Sequence, residues 1–109
     1  MNLSEYQKKA QVTALYPDAG NNPYYAVLGL TGEAGEIANT VKKIMRDDDG
    51  VITDEKRAEV KKELGDVLWY VACTATEMGL NLDEIAQANL DKLASRAERG
   101  VLKGSGNDR

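Results

Sequence analysis

The stretch Leu30-Thr31-Gly32-Glu33-Ala34-Gly35-Glu36-Ile37-Ala38-Asn39-Thr40-Val41 is echoed 30 residues later by Val60-Lys61-Lys62-Glu63-Leu64-Gly65-Asp66-Val67-Leu68-Trp69-Tyr70-Val71. At about 100° per residue, Leu30, Ala34, Ile37 and Val41 fall on one helical stripe, as do Val60, Leu64, Val67 and Val71. Each stripe is expected to be a core face. In both segments the two acids sit on the same flank of the stripe. If the helices pack antiparallel, Glu33, Glu36, Glu63 and Asp66 are expected to point into one shared space.

Outward from this pair, start and stop signals give four helices and no segment with a period of two, so the expected fold class is all-α. Ser4 with Gln7 reads as a capping box for a first helix reaching about Leu15. Pro23 opens a second helix that runs to about Arg46, before the turn Asp47-Asp48-Asp49-Gly50. Thr53 caps a third helix that ends near Met78, with Gly79 just beyond it. Asn81 with Glu84 starts a fourth, which ends near Glu98. Residues 1–100 read as one domain, and 101–109 as a flexible tail.

Composition narrows the chemistry. The chain has 109 residues, 14 Lys and Arg against 18 Asp and Glu, no His and one Cys. Without His, and with Cys73 alone, there is no Cys/His zinc site, no Ser-His-Asp or Cys-His nucleophile and no Glu-x-x-His di-iron ligand set. A single Cys makes no internal disulfide, which favours a reducing, cytoplasmic setting. The longest uncharged run, Ala19 to Gly32, is too short to span a membrane. No signal peptide is visible at the N-terminus. The net charge of −4 argues against duplex nucleic acid as a partner.

Four converging carboxylates repel one another unless a cation sits among them. An all-oxygen donor set without His suits Mg²⁺, which binds through a few carboxylates together with substrate phosphates. Gly29, Gly32, Gly35 and Gly65 all lie inside the expected helices, where each costs roughly 0.5–1 kcal/mol relative to Ala. Close backbone approach, or room for a ligand beside the acids, offsets that cost. The third helix is apolar or amphipathic all round at Val67 to Cys73. Trp69 projects away from the core stripe, so a second surface is expected there, most simply another subunit. Tyr24, Tyr25 and Tyr70 are candidates to stack on a base. Basic residues gather at Lys42, Lys43 and Arg46 and at Lys61 and Lys62. Asn89, Lys92, Arg96 and Arg99 share one face of the fourth helix, able to meet phosphates or a base.

Glu33-Ala34-Gly35-Glu36 followed, after 26 residues, by Glu63-Leu64-Gly65-Asp66 resembles the motif of the MazG-like nucleoside triphosphate pyrophosphohydrolases. The likeness extends to Leu68-Trp69-Tyr70 and to Asn89 and Lys92. It implies a four-helix-bundle-type domain completed by oligomerisation, as a homodimer or homotetramer. It implies Mg²⁺, with Mn²⁺ as a substitute, held by Glu33, Glu36, Glu63 and Asp66. It also implies cleavage between the α and β phosphates of a (d)NTP to give (d)NMP and pyrophosphate. By the same resemblance Glu33 is the candidate to position or deprotonate the attacking water. Lys42, Lys43 and Lys92 are candidates for phosphate contacts, Lys43 more than Lys42, and Asn89 for sugar or base. Two other classes compete with this one. One is a non-catalytic nucleotide- or partner-binding module of the same fold. The other is a structural helical oligomer in which the acids pair with Lys61, Lys62 and Lys92.

Overall fold

In the computed structural model, which describes residues 1–109, the chain forms four helices and no strand: α1 (Leu3–Gln11), α2 (Pro23–Asp47), α3 (Asp54–Glu77) and α4 (Leu82–Glu98). The all-α expectation holds, and three of the four helix starts fall where local chemistry put them. Asn22 Oδ1 caps α2 by accepting from the Tyr25 N–H, with Pro23 at its first turn. Thr53 Oγ1 accepts from the Lys56 N–H, and Asn81 Oδ1 from the Glu84 N–H. Beyond α3, Gly79 takes φ +68°, the left-handed conformation that ends a helix cheaply in glycine.

The first helix departs from expectation at both ends. Asn2, not Ser4, is its cap, accepting from the Glu5 N–H at 2.8 Å, and the helix stops at Gln11. Tertiary partners draw Ser4 and Gln7 elsewhere. The Ser4 hydroxyl pairs with the Asn81 side chain. The Gln7 amide donates to Thr76 Oγ1 and to the Leu80 carbonyl, while its oxygen accepts from the Leu82 N–H at 2.8 Å. One buried glutamine thus joins α1 to the α3–α4 turn.

Helices α2 and α3 form the main pair. Gly29 meets Tyr70 and Thr40 meets Glu63, so numbers rise along one helix as they fall along the other and the pair is antiparallel. Helix α1 packs on α3, and α4 docks on α1 rather than along the α2–α3 pair. Two small cores result. Ala14, Tyr16, Ala26 and Cys73 make one, and Ala10, Ala72 and Leu82 the other, with Trp69 packed against both. Trp69 therefore does not serve a second subunit. The first helix and the segment after it fill that side, and Trp69 Nε1 donates to Thr13 Oγ1 at 2.9 Å.

The expected core stripes are also half open. Ala34, Val41 and Leu64 are exposed, because the seam that α2 and α3 bury runs one position round, through Ala26, Gly29, Glu33, Ile37, Thr40 and Ile44 against Val60, Glu63, Val67, Tyr70 and Thr74. Only 12 of 109 residues are buried, and the radius of gyration is 16.7 Å. A compact domain of this length measures about 13 Å, so one chain is an open arrangement of helices. No helix is long and apolar enough to cross a membrane.

Candidate functional site

The seam carries the chemistry. Glu33 and Glu63 lie within it, each half-buried, whereas Glu36 and Asp66 stand exposed at its lip. The carboxylate of Glu63 is fixed by one bond, in which the buried Thr40 hydroxyl donates to Oε1 at 2.6 Å. Its other oxygen, Oε2, is buried and has no partner. An unpaired carboxylate oxygen away from water is costly, and it marks a place where a further donor or a cation is wanted.

In the chain by itself no three of the carboxylates come close enough to share one ion. Antiparallel packing brings the two acidic pairs to one seam without drawing them into contact, as expected of like charges with nothing positive between them. None of the four joins an ion pair. The ion pairs present are Arg46–Asp47, Lys56–Glu59 and Arg57–Asp54, so within one chain Lys61, Lys62 and Lys92 do not pair with the four acids. The donor set is all carboxylate, has an unsatisfied buried oxygen and lacks an internal counter-ion. It fits a hard divalent cation.

Aromatic residues wall one end of the seam. A Cβ on Gly29 would run into the Tyr70 ring, so here a helical glycine does serve close approach. At Gly32, Gly35 and Gly65 a Cβ would meet nothing within 4 Å, and these positions leave open space beside the acids. Burial raises the pKa of Tyr70, with smaller contributions from Tyr25 and from the charge of Glu33. Burial likewise raises that of Tyr6, with smaller contributions from the charges of Cys73 and Asp66. Tyr25 lies 6.5 Å from Tyr70, ring centre to ring centre. Tyr24 is 78% exposed and stands apart, over a shallow apolar hollow lined by Pro23, Val27, Leu28 and Met78.

The basic candidates divide. Lys43 is half-buried on α2, one turn beyond Thr40, and Lys42 is exposed. Asn89 and Lys92 are exposed on α4, which packs on α1, so one chain does not bring them to the carboxylates. Arg96 is not free to meet a phosphate. It is buried, and its guanidinium donates to the Asn107 carbonyl at 2.6 Å. Arg99 donates to the carbonyl of Arg109. The largest surface concavity, about 340 Å³ between α1 and the α3–α4 turn, is lined by Ser4, Gln7, Thr76 and Asn81 among others and contains none of the four acids.

Reading the motif alone missed Thr40. A signal for Thr40 was present, since it lies seven residues after Glu33 and therefore on the same helical face.

An antiparallel pair of long helices carrying Glu-x-x-Glu opposite Glu-x-x-Asp, with one acid of each pair in the seam and the other at its lip, defines an all-α acidic-seam domain. The family model for the MazG nucleotide pyrophosphohydrolase domain matches residues 22–101, and the chain belongs to that family. It is similar to the "Gene 37 protein" of Mycobacterium phage L5, 52% identical over 114 residues that cover 100% of both chains. It is also similar to the "Uncharacterized protein YvdC" of Bacillus subtilis (strain 168), 39% identical over 85 residues that cover 70% of this chain and 76% of that one. No solved structure matches it.

Proposed function

We propose that this chain is a Mg²⁺-dependent pyrophosphohydrolase that converts a (d)NTP to (d)NMP and pyrophosphate. The observation that carries the reading is the buried, unpaired Oε2 of Glu63 within a quartet of carboxylates that has no internal counter-ion. Membership of a nucleotide pyrophosphohydrolase family supports the substrate class. When bound, the divalent cation supplies positive charge that neutralises the triphosphate and favours departure of pyrophosphate.

The chain's own residues do the rest. Glu33, Glu36, Glu63 and Asp66 hold the cation, and Thr40 orients Glu63. Glu33 also positions the attacking water and accepts its proton as oxygen bonds to the α phosphorus and the bond to the bridging oxygen breaks. Lys43 contacts phosphate and Tyr70 borders the nucleotide. Asn89 and Lys92 reach the substrate only from a second copy, since in one chain α4 lies away from the seam. The exposed apolar side chains of Val41, Leu64 and Leu68 support assembly as a homodimer or homotetramer. A cytoplasmic location fits the one buried, unpaired cysteine.

Product analysis by ion-exchange chromatography tests the reading. The protein is incubated with each common NTP and dNTP, in Mg²⁺ and in EDTA. Monophosphate and pyrophosphate are expected, only with metal. Glu36→Ala and Asp66→Ala are expected to abolish them while the far-ultraviolet helical signal persists. Full activity in both variants would falsify the assigned site. Binding without turnover would move the protein to the binding-module class.

A further inference from the structure

Outside the four site carboxylates, one acid gathers more hydrogen bonds than any other. Glu77 sits in the last turn of α3, three turns beyond Asp66. Its Oε1 accepts from the Tyr16 hydroxyl and from the Gly20 N–H at 2.7 Å, and its Oε2 accepts from the Asn22 N–H at 3.0 Å. All three donors belong to the short segment that joins α1 to α2. Asn22 in turn donates to the Pro17 carbonyl and caps α2, and Gly20 takes φ +96°, which a side chain rarely adopts. A single carboxylate therefore fixes the conformation of this segment and the entry into α2.

What the segment holds lies next to the candidate site. Tyr16, buried, stacks on Tyr25 with ring centres 4.7 Å apart and planes within 7°. Its ring also meets Trp69 edge-on at 6.4 Å. Tyr25 leans toward Tyr70, and Tyr70 fills the space over Gly29, one helical turn before Glu33. Tyr25 nevertheless remains 42% exposed, although Tyr16 covers one of its faces. An aromatic backed by a stacked ring and still partly exposed, beside an acidic seam, suits a planar ring. Stacking of this kind tolerates any base, because every base has a π face.

We propose that Glu77 is a positioning residue: by clamping the Tyr16–Asn22 segment it holds Tyr16 and Tyr25 as a rigid shelf on which the base of the nucleotide stacks. The assignment rests on the nucleotide reading above and adds a determinant of substrate affinity that lies outside the acidic motif. Glu77 touches neither the phosphates nor the base. Its effect reaches the substrate through Tyr16 and Tyr25.

The test compares the full chain with Glu77→Ala, Glu77→Gln and Tyr25→Ala. Glu77→Ala is expected to raise KM for a nucleoside triphosphate about tenfold, with kcat within about twofold. Glu77→Gln, which keeps one acceptor oxygen but turns an NH2 toward the donor on the other side, is expected to recover only part of that affinity. Tyr25→Ala, which removes the shelf and leaves the clamp, is expected to match or exceed the loss. Inorganic tripolyphosphate, which has no base, is expected to inhibit all variants with the same Ki. Emission from Trp69, the one tryptophan, reports loosening of the aromatic cluster in Glu77→Ala without any nucleotide. A fall in kcat alone, an unchanged KM in Tyr25→Ala, or a tripolyphosphate Ki that rises with KM each overturns the shelf. If the native chain binds nucleotides without turnover, only the hydrolase reading fails, and the same comparisons are made on Kd. If it neither binds nor hydrolyses any, both fall together.

Discussion

The Thr40 hydroxyl donates to Glu63 Oε1 at 2.6 Å across the α2–α3 seam, and it is the only partner that carboxylate has. A buried threonine thereby fixes the orientation of a ligand-type side chain whose other oxygen is left available. Thr40→Val keeps the shape and removes the donor. It is expected to cost about 1 kcal/mol of stability, toward the low end for an orphaned acceptor because Glu63 is half-buried. Turnover is expected to fall roughly 10–100-fold, the range for a residue that orients a metal ligand. Thermal melts with and without Mg²⁺, beside steady-state rates, check both. Thr40→Ser should behave like the native chain, and equal losses in Ser and Val would assign the effect to packing.

The helical glycines divide into two kinds that alanine substitution separates. Gly29→Ala places a methyl inside the Tyr70 ring, so the helices or the ring must move. A net loss of about 1–3 kcal/mol is expected in spite of the better helix propensity of Ala. At Gly32, Gly35 and Gly65 the chain itself offers no obstacle. Each Ala there is expected to add about 0.5–1 kcal/mol, read as a rise in Tm. A drop in turnover accompanying that rise assigns the open space to the ligand or to a second copy.

What was legible in the residues was local. Asn81 and Thr53 announce helix starts through bonds made three residues on, and Pro23 through its fixed φ, and all three starts hold. The acidic echo placed two carboxylate pairs on facing helices, because an offset of 30 residues with matching register survives any antiparallel packing. Ser4 misled, since its hydroxyl has a better-placed partner in Asn81, 77 residues away. Trp69 misled for the same reason. A helix apolar or amphipathic all round at Val67 to Cys73 signals a second surface, but not that α1 of the same chain supplies it. Glu77 carries no local signal, because its three donors lie more than 50 residues earlier.

Glu77 gives the acid limb of stability a sign. The Tyr16 hydroxyl, and then the Gly20 and Asn22 N–H groups, hold its carboxylate below the ordinary value of 4.5. A depressed carboxylate contributes stability that is fully present above the unfolded value and is lost as pH falls through the folded one. The chain is therefore expected to lose part of its stability as pH drops below 4.5. Glu77→Gln, less stable at pH 7, is expected to show a shallower decline over that window. Urea midpoints at pH 7, 5, 4 and 3 test this, and parallel curves for the two proteins would remove Glu77 from the acid limb.

The open arrangement of one chain carries the last expectation. Val41 (45% exposed), Leu64 (54%) and Leu68 (38%) line the outer side of the α2–α3 pair, and Leu90 (61%) and Leu93 (38%) line α4. Neither face has an internal partner, and two cores of four and three buried residues are small for 109 residues. Burying those faces against a second copy contributes roughly 25 cal/mol per Å² of apolar surface, and a stable interface buries on the order of 1,200–2,000 Å². Light scattering is expected to give two or four times the 11.9 kDa chain mass. Leu64→Lys puts a charge in the middle of the α2–α3 face and is expected to give single chains with a lower Tm. Because Asn89 and Lys92 ride on the same helix as Leu90 and Leu93, loss of assembly should carry loss of turnover with it. A native chain that sediments alone and still hydrolyses nucleotides would show that the seam is complete within one copy.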